Sequence, residues 1–369
     1  GREGTERGTG GMITKITAAS IATDAGINMI IANGNVFGMD GKFHRKNVHI
    51  CEDRIAEINY GNPLCNNGEE IIDADGLYVI PGLVDIHLHG AAGCDFCDGT
   101  EKAFQSIVDF ELSQGVTNIV PATMTLPKEK LQTIMTELSR FAKENTSIKG
   151  ITMEGPFISA EKKGAQNEQY ISKPDTQLFH DLQTASNGLI KQVTVAPEIE
   201  GAMEFIKEIS RKCVVSVAHT GADYETTNAA FDAGANHVTH LYNAMRGMTH
   251  RDPGVVGTVL DNPNVYAELI CDKVGIHVDP YMLRLVRKIK GEEKIVLISD
   301  ACVFDGPVPP GYDGVTDINF DFAGEIAGSK LTLEVACRNM MKHTGASLVD
   351  VFRYASLNPS KAVGFTDRG

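Results

Sequence analysis

At 369 residues, with 34 Lys and Arg against 48 Asp and Glu and a formal net charge of −14, the chain is long enough for one barrel of about 250 residues plus a smaller appendage. The acidic balance argues against a nucleic-acid or anionic-membrane partner, so any anionic ligand must be met by a few local cations. No apolar run of membrane-spanning length and no charged-then-apolar leader is present, which predicts a soluble, unexported, cytoplasmic protein.

The eight cysteines, at 51, 65, 94, 97, 213, 271, 302 and 337, lack the density of a disulfide framework and fit reduced thiols. Cys94-Asp-Phe-Cys97 has redox or zinc spacing, but no second pair complements it, so ordinary thiols are expected. Residues 1–11, rich in Gly, Thr and Arg, read as a leader or disordered arm, with ordered sequence expected from about Ile27. Over 27–80 short β-type runs alternate with turn residues: Asn28 to Ala32, Asn47 to Ile50, Arg54 to Ile58 and Glu70 to Ile80. Asn33-Gly34, Asp40-Gly41 and Asp75-Gly76 supply hairpin chemistry between or within them, which predicts the first part of a small β domain.

After Pro81-Gly82 the pattern changes to apolar β-runs separated by helical periodicity, the signature of βα units. The runs are Leu83 to His89, Val116 to Val120, Gly150 to Glu154, Gln192 to Ala196, Cys213 to His219, His237 to Leu241, Val265 to Cys271 and Lys294 to Asp300. Eight is the number a closed (β/α)8 TIM-like barrel needs, here over 81–312. Helices are expected over 101–114, 128–145, 201–211, 224–234 and 281–291, and loops with lid or substrate contacts over 155–175 and 242–264. A β segment at 313–331 is expected to rejoin the small domain as a β-sandwich built from N- and C-terminal segments. Helices follow over 332–369.

Chemistry concentrates at the carboxyl ends of these runs. In Leu83-Val-Asp-Ile-His-Leu-His-Gly90 the two histidines sit at i and i+2. They share one strand face, with Cα atoms roughly 6.6 Å apart, so both imidazoles can reach one ion. Glu154, His219 and Asp300 end three other runs, and His240 stands one residue before the end of a fourth. Each alone has an ordinary reading as a turn carboxylate, a helix-start residue, a core histidine or an N-cap. Together, at one rim, they make a divalent-metal site with nitrogen and oxygen ligands, suited to zinc, iron, manganese or cobalt. Such an ion lowers the pKa of bound water toward neutrality.

His87-Leu-His89, Met153-Glu-Gly-Pro-Phe-Ile-Ser159, Val195-Ala-Pro-Glu198, Ala218-His219, Thr239-His-Leu-Tyr-Asn-Ala-Met245, Gly275-Ile-His-Val-Asp279 and Ile298-Ser-Asp-Ala301 resemble, in this order, the amidohydrolase superfamily. More narrowly, they resemble its N-acetylglucosamine-6-phosphate deacetylase family. The resemblance implies one ion on Glu154, His219 and His240. Because this chain keeps the histidine pair, it also implies a second ion on His87, His89, Glu154 and Asp300, hence one or two per subunit. It implies hydrolysis of N-acetyl-D-glucosamine 6-phosphate to D-glucosamine 6-phosphate and acetate, in which an ion polarises the amide carbonyl and Asp300 takes the water's proton as general base and returns it as general acid. Asn243, Ala244 and Arg251 would meet the phosphate, the arginine through its bidentate fork; His277 would meet the sugar. A homodimer, with the neighbouring subunit near the phosphate site, is implied as well.

Two features depart from the family pattern. Lys162-Lys-Gly-Ala-Gln166 carries glutamine where some relatives place a histidine that contacts the acetyl carbonyl, so Gln166 is retained as a substrate-binding candidate that can orient an amide but not carry a proton. The sequence also stops at Gly369, where relatives usually continue with a strand. The alternatives are a deacetylase of a related sugar phosphate, such as N-acetylgalactosamine 6-phosphate, and a non-catalytic scaffold, which would lack metal ligands.

Overall fold

The computed structural model describes residues 29–38, 40–51, 54–61, 70–304 and 306–365. The expected arm at 1–11, the start of order near Ile27 and residues 366–369 lie outside them. The chain divides into two compact units, one reaching Gly82 and including Ser113–Gly115, the other comprising Leu83–Leu112 and Val116–Gly369. No helix among the described residues is long and apolar enough to cross a membrane.

The first unit is a five-stranded sheet of β1 (Met29–Phe37), β2 (Phe43–Cys51), β3 (Arg54–Asn59), β4 (Glu70–Asp73) and β5 (Tyr78–Val79). β1 and β2 pair antiparallel, as do β2 and β3, whereas β4 and β5 both run parallel to β1. Asp40-Gly41 forms the β1–β2 turn and Asp75-Gly76 separates β4 from β5, as their turn chemistry predicts. Asn33-Gly34 lies inside β1 instead, where the register shifts. Asn33 there adopts φ 59°, a conformation asparagine tolerates better than most residues. Buried Asn47 locks this bulge: its Oδ1 accepts the Asn33 N–H at 2.8 Å, and its Nδ2 donates to Asn59 Oδ1 at 3.2 Å and Gly61 O at 2.9 Å. Asn47→Ala leaves those groups unpaired and is expected to destabilise the unit by about 1–3 kcal/mol, read from urea unfolding.

The second unit carries β6 (Leu83–Leu88), the short hairpin β7 (Gly90–Ala91) and β8 (Cys94–Asp95), and then β9 (Val116–Pro121), β10 (Ile151–Met153), β11 (Ile190–Val195), β12 (Val214–Val217), β13 (His237–Val238), β14 (Tyr266–Ile270) and β15 (Ile295–Ile298). β6 pairs parallel with β9, isolated parallel bridges at Ile119/Ile148 and Ala122/Thr152 follow, and β10 to β15 form a parallel sheet in sequence order. Hydrogen bonds then pass from the end of β15 back to β6: Asp300 N–H to His87 O at 3.0 Å, and Ser299 N–H to Asp85 Oδ2 at 3.2 Å. Residues of β6, β10 and β15 are buried on both faces, which is why they read as continuous apolar runs rather than alternating ones.

The intervening helices are α1 (Glu101–Ser113), α2 (Lys128–Glu144), α3 (Thr176–Ala185), α4 (Ala202–Ile209), α5 (Tyr224–Ala233), α6 (Gly254–Asp261) and α7 (Pro280–Lys290). In α2, Leu131, Ile134, Met135 and Leu138 form one buried stripe at helical spacing. α7 starts at Asp279, whose carboxylate accepts the Tyr281 N–H before Pro280 at the first turn, and ends on Arg287, Lys288 and Lys290, charges that suit a helix C-terminus. α6 corrects the expectation of loop over 242–264. Its Val, Gly and Thr content gives weak intrinsic helix propensity, which burial of Val255, Val256, Val259 and Leu260 overrides.

Residues 313–331 also differ from expectation. They contribute β16 (Ile318–Phe320) and β17 (Ile326–Ser329), an antiparallel pair that falls in the second unit and outside the five-stranded sheet. Exchange of hydrogen bonds with the end of β15 fixes them there: Cys302 N–H donates to Ser329 O at 3.0 Å, and Ser329 N–H to Asp300 O at 2.8 Å. Helices α8 (Leu333–Thr344), α9 (Leu348–Phe352) and α10 (Asn358–Ala362) follow, the last two joined by a π-helical turn.

Candidate active site

Every expected ligand stands at a strand's carboxyl end. His87 lies in β6 and His89 one residue past it, Glu154 one past β10, and His219, His240 and Asp300 each two past β12, β13 and β15. The last three have φ of 47°, 35° and 48°, and Tyr242 and Ala244 share that left-handed region. An L-residue there costs about 1–2 kcal/mol, and such outliers gather at functional sites. Gly155 after Glu154 has φ 71°, and a Cβ on it would stand 2.0 Å from Thr125 Oγ1, so the turn that follows the glutamate admits only glycine.

Glu154 is the hub. Its Oε1 lies 3.1 Å from both His219 Nε2 and His240 Nε2 and 3.4 Å from His87 Nε2, while Oε2 lies 3.2 Å from His89 Nε2. Asp300 Oδ1 is 3.6 Å from Nε2 of both His87 and His89. Burial alone would raise the Glu154 pKa, but the surrounding histidines outweigh it and hold the carboxyl well below its ordinary range. Burial likewise opposes charge on His89, yet Glu154, Asp300 and Asp95 push that imidazole up to about 9.

The donor set fits a divalent ion. Two mutually close groups, His87/Glu154/His240 and His87/His89/Asp300, each keep their ligand atoms within 4.8 Å of one another. Both ring nitrogens of His87, together with Nδ1 of His89 and of His240, are buried without a protein hydrogen-bond partner. Unpaired buried polar atoms are costly unless a ligand satisfies them. His219 is oriented differently: its Nδ1 lies 2.9 Å from the Lys162 carbonyl. That contact puts the proton on Nδ1 and the lone pair on Nε2.

Around these groups runs a cavity lined by Met124, Gln166, Asn243, Ala244, His277, Cys302 and Phe304, among others, with Ile326, Ala327 and Gly328 of β17 as one wall. His277 Nε2 is buried and unpartnered, while Nδ1 lies 3.3 Å from Asp272 Oδ2. Asp272 also accepts the backbone N–H groups of Val274, Gly275, Ile276 and His277. Burial would raise its pKa, but these hydrogen bonds, led by that of the His277 ring, hold the carboxyl far below the usual range.

Of the residues singled out from sequence, His89, Glu154, Gln166, His219, His240, Asn243, Ala244, His277 and Asp300 line this one cavity, and His87 lies directly behind it. Arg251 does not line it. It is exposed at the loop, and the loop's other arginine, Arg246, is paired with Asp252. Gln166, which also lines the cavity, is engaged within the protein: its Nε2 donates to Glu154 Oε2 at 2.6 Å and its Oε1 accepts the Thr125 N–H at 2.7 Å. Cys94 and Cys97 are free thiols, and Cys97 Sγ accepts the Met124 N–H at 3.3 Å. Sequence reasoning passed over Asp272, although it stands two residues past β14 and the strand-end rule that found Asp300 applies equally to it. Cys302, Phe304 and the β17 wall carried no such signal, because the hairpin reaches the site through long-range pairing.

A strand-mouth cluster of imidazoles and carboxylates on parallel βα units defines the class, and the sequence comparisons agree. The amidohydrolase family model matches residues 78–369, and the chain belongs to that family. Within it, the chain is 31% identical over 354 residues to the N-acetylglucosamine-6-phosphate deacetylase of Lysinibacillus sphaericus, covering 93% of this chain and 90% of that one. It is 32% identical over 312 residues to the N-acetylgalactosamine-6-phosphate deacetylase of Escherichia coli O157:H7, covering 80% of each. Among solved structures it is similar to a mutant N-acetyl-D-glucosamine-6-phosphate deacetylase of Mycobacterium smegmatis in complex with N-acetyl-D-glucosamine-6-phosphate. The TM-score there is 0.81 at 32% identity, with 92% of this chain and 91% of that chain covered.

Proposed function

We propose that this chain hydrolyses the acetamide of N-acetyl-D-glucosamine 6-phosphate, giving D-glucosamine 6-phosphate and acetate. The observation that carries the reading is the convergence of four imidazoles on the Glu154 carboxylate, with Asp300 beside two of them. Similarity to deacetylases of 6-phosphorylated amino sugars supplies the substrate class. The order of the eight parallel strands supports a closed (β/α)8 barrel, with the five-stranded unit as a small second β domain.

Glu154, His219 and His240 would hold one ion, and His87, His89 and Asp300, sharing Glu154, a second; the donor set suits zinc, iron, manganese or cobalt. Such an ion, when bound, lowers the pKa of water and polarises an amide carbonyl. Asp300 Oδ1 receives the proton of the attacking water as the new C–O bond forms. It then delivers that proton to the sugar nitrogen as the C–N bond breaks, so that amine and acetate leave in balance. His277, held at Nδ1 by Asp272, offers Nε2 to the substrate from the cavity wall. Asn243 and Ala244 line the cavity and would meet the phosphate.

Arg251 is the candidate phosphate cation, since Arg246 is already taken by Asp252. Arg251→Ala is expected to raise KM for the 6-phosphate sugar by about tenfold or more, the size of one charged hydrogen bond, with little change toward the unphosphorylated sugar. A homodimer in which the neighbouring subunit borders the phosphate is part of the proposal, as is a cytoplasmic location, which the seven described free thiols support. The similarity to a galactosamine-type enzyme keeps N-acetyl-D-galactosamine 6-phosphate as the second reading. Acetate release from the two isomers side by side tests the choice, and a faster rate on the galactosamine isomer would reverse it.

A further inference from the structure

Segment Ser159–Gln166, in the connection after β10, touches two of the residues that would hold an ion. Gln166, 4% exposed, spans Glu154 Oε2 at 2.6 Å and the Thr125 N–H at 2.7 Å. A backbone N–H can be met only by the amide oxygen, so the NH2 end must face the carboxylate. Four residues earlier, the Lys162 carbonyl accepts from His219 Nδ1 at 2.9 Å, and the Ser159 N–H donates to His219 O at 2.9 Å. Between these contacts Gly164 has φ +56°, and a Cβ on it would stand 3.3 Å from His219 Cε1. The segment thus passes close against the imidazole, so that an added Cβ would require the His219 ring to give by a few tenths of an ångström.

Three contacts from one segment therefore fix the carboxylate plane of Glu154 and the ring and tautomer of His219. We infer that Ser159–Gln166 is a clasp on the metal site, and that Gln166 is a positioning residue for Glu154 rather than a substrate contact. This rests on the proposal that Glu154 and His219 hold an ion. A carboxylate shared among several ligand sets gains most from such a brace, because rotation about its last bond moves both oxygens at once. Outer hydrogen bonds of this kind typically change metal affinity about 10- to 100-fold.

The test uses the full chain, as wild type, Gln166→Ala and Gln166→His. Zinc affinity is read by competition with a chromogenic chelator, the visible spectrum is recorded after cobalt loading, and KM and kcat are measured on N-acetyl-D-glucosamine 6-phosphate. Gln166→Ala is expected to bind zinc about 10- to 100-fold more weakly and to shift the cobalt bands, with KM changed by less than about twofold. Gln166→His, which keeps an N–H donor, recovers most of the affinity. Should Gln166→Ala fail to fold, Gly164→Ala carries the same test from the His219 side and is expected to weaken zinc binding as well. Wild-type zinc affinity and an unshifted cobalt spectrum in Gln166→Ala, with or without a raised KM, overturn the clasp. A wild-type chain that binds neither zinc nor cobalt overturns the metal reading and the clasp together, whereas wild-type binding with an unaffected variant overturns the clasp alone.

Discussion

Asp300→Asn is expected to lower kcat by about 10²- to 10⁴-fold, the range a positioned acid–base group contributes, while leaving ion binding partly intact. The substitution preserves shape and one oxygen but cannot accept a proton and hand it on. The fold around it does not depend on the carboxylate. Asp300 is anchored through its backbone, donating its N–H to His87 O at 3.0 Å and accepting the Ser329 N–H at 2.8 Å. Its Oδ1, by contrast, lies 3.6 Å from both histidines of the pair and lines the cavity, where a reacting group would meet it. Steady-state kinetics with metal analysis on the same sample checks this, and a wild-type kcat in the variant would remove Asp300 from the chemistry.

Glu154→Gln should have the broadest effect of any single change at the site, driving metal stoichiometry toward zero and activity with it. Its oxygens are approached by Nε2 of His87, His89, His219 and His240 and by the Gln166 amide. A neutral amide in that place offers one acceptor oxygen instead of two and no negative charge to balance an ion. The contrasting change is His87→Ala with His89→Ala, expected to lower stoichiometry from two ions toward one and to leave residual activity, because Glu154, His219 and His240 remain. Elemental analysis of the dialysed proteins separates the cases. Loss of all metal from the double histidine variant would mean that the pair, not His219 and His240, holds the tighter ion; its tight grouping with Asp300 makes that outcome a real contest.

Much of this was legible in the chain because parallel strands buried on both faces write themselves as short apolar runs. Each of the eight runs from Leu83 to Asp300 overlaps its strand, with ends displaced by no more than a few residues. The ligands were legible for a related reason: a charged or imidazole side chain at the end of an apolar run has to be explained, and Glu154, His219 and Asp300 end one while His240 stands one residue before the end of another. What stayed hidden depends on pairings distant in sequence. The helix at Gly254–Asp261 owes its form to burial against local propensity. The β16–β17 hairpin is fixed by Ser329 pairing with Asp300 and Cys302, which nothing in its own pattern announces. Gln166 could be named as a site residue, but its partners, Glu154 and the Thr125 N–H, lie 12 and 41 positions away, and only the fold reveals that it braces a ligand.

In the proposed reaction this cluster removes acetate from a 6-phosphorylated N-acetyl amino sugar. Acetate release should be measured on N-acetyl-D-glucosamine 6-phosphate and on N-acetyl-D-glucosamine, before chelation, after it, and after re-addition of zinc, iron or manganese. The predicted result is strong preference for the phosphorylated sugar, loss of activity on chelation and its return with metal. Equal rates on the two sugars, or full activity in the stripped protein, would contradict it.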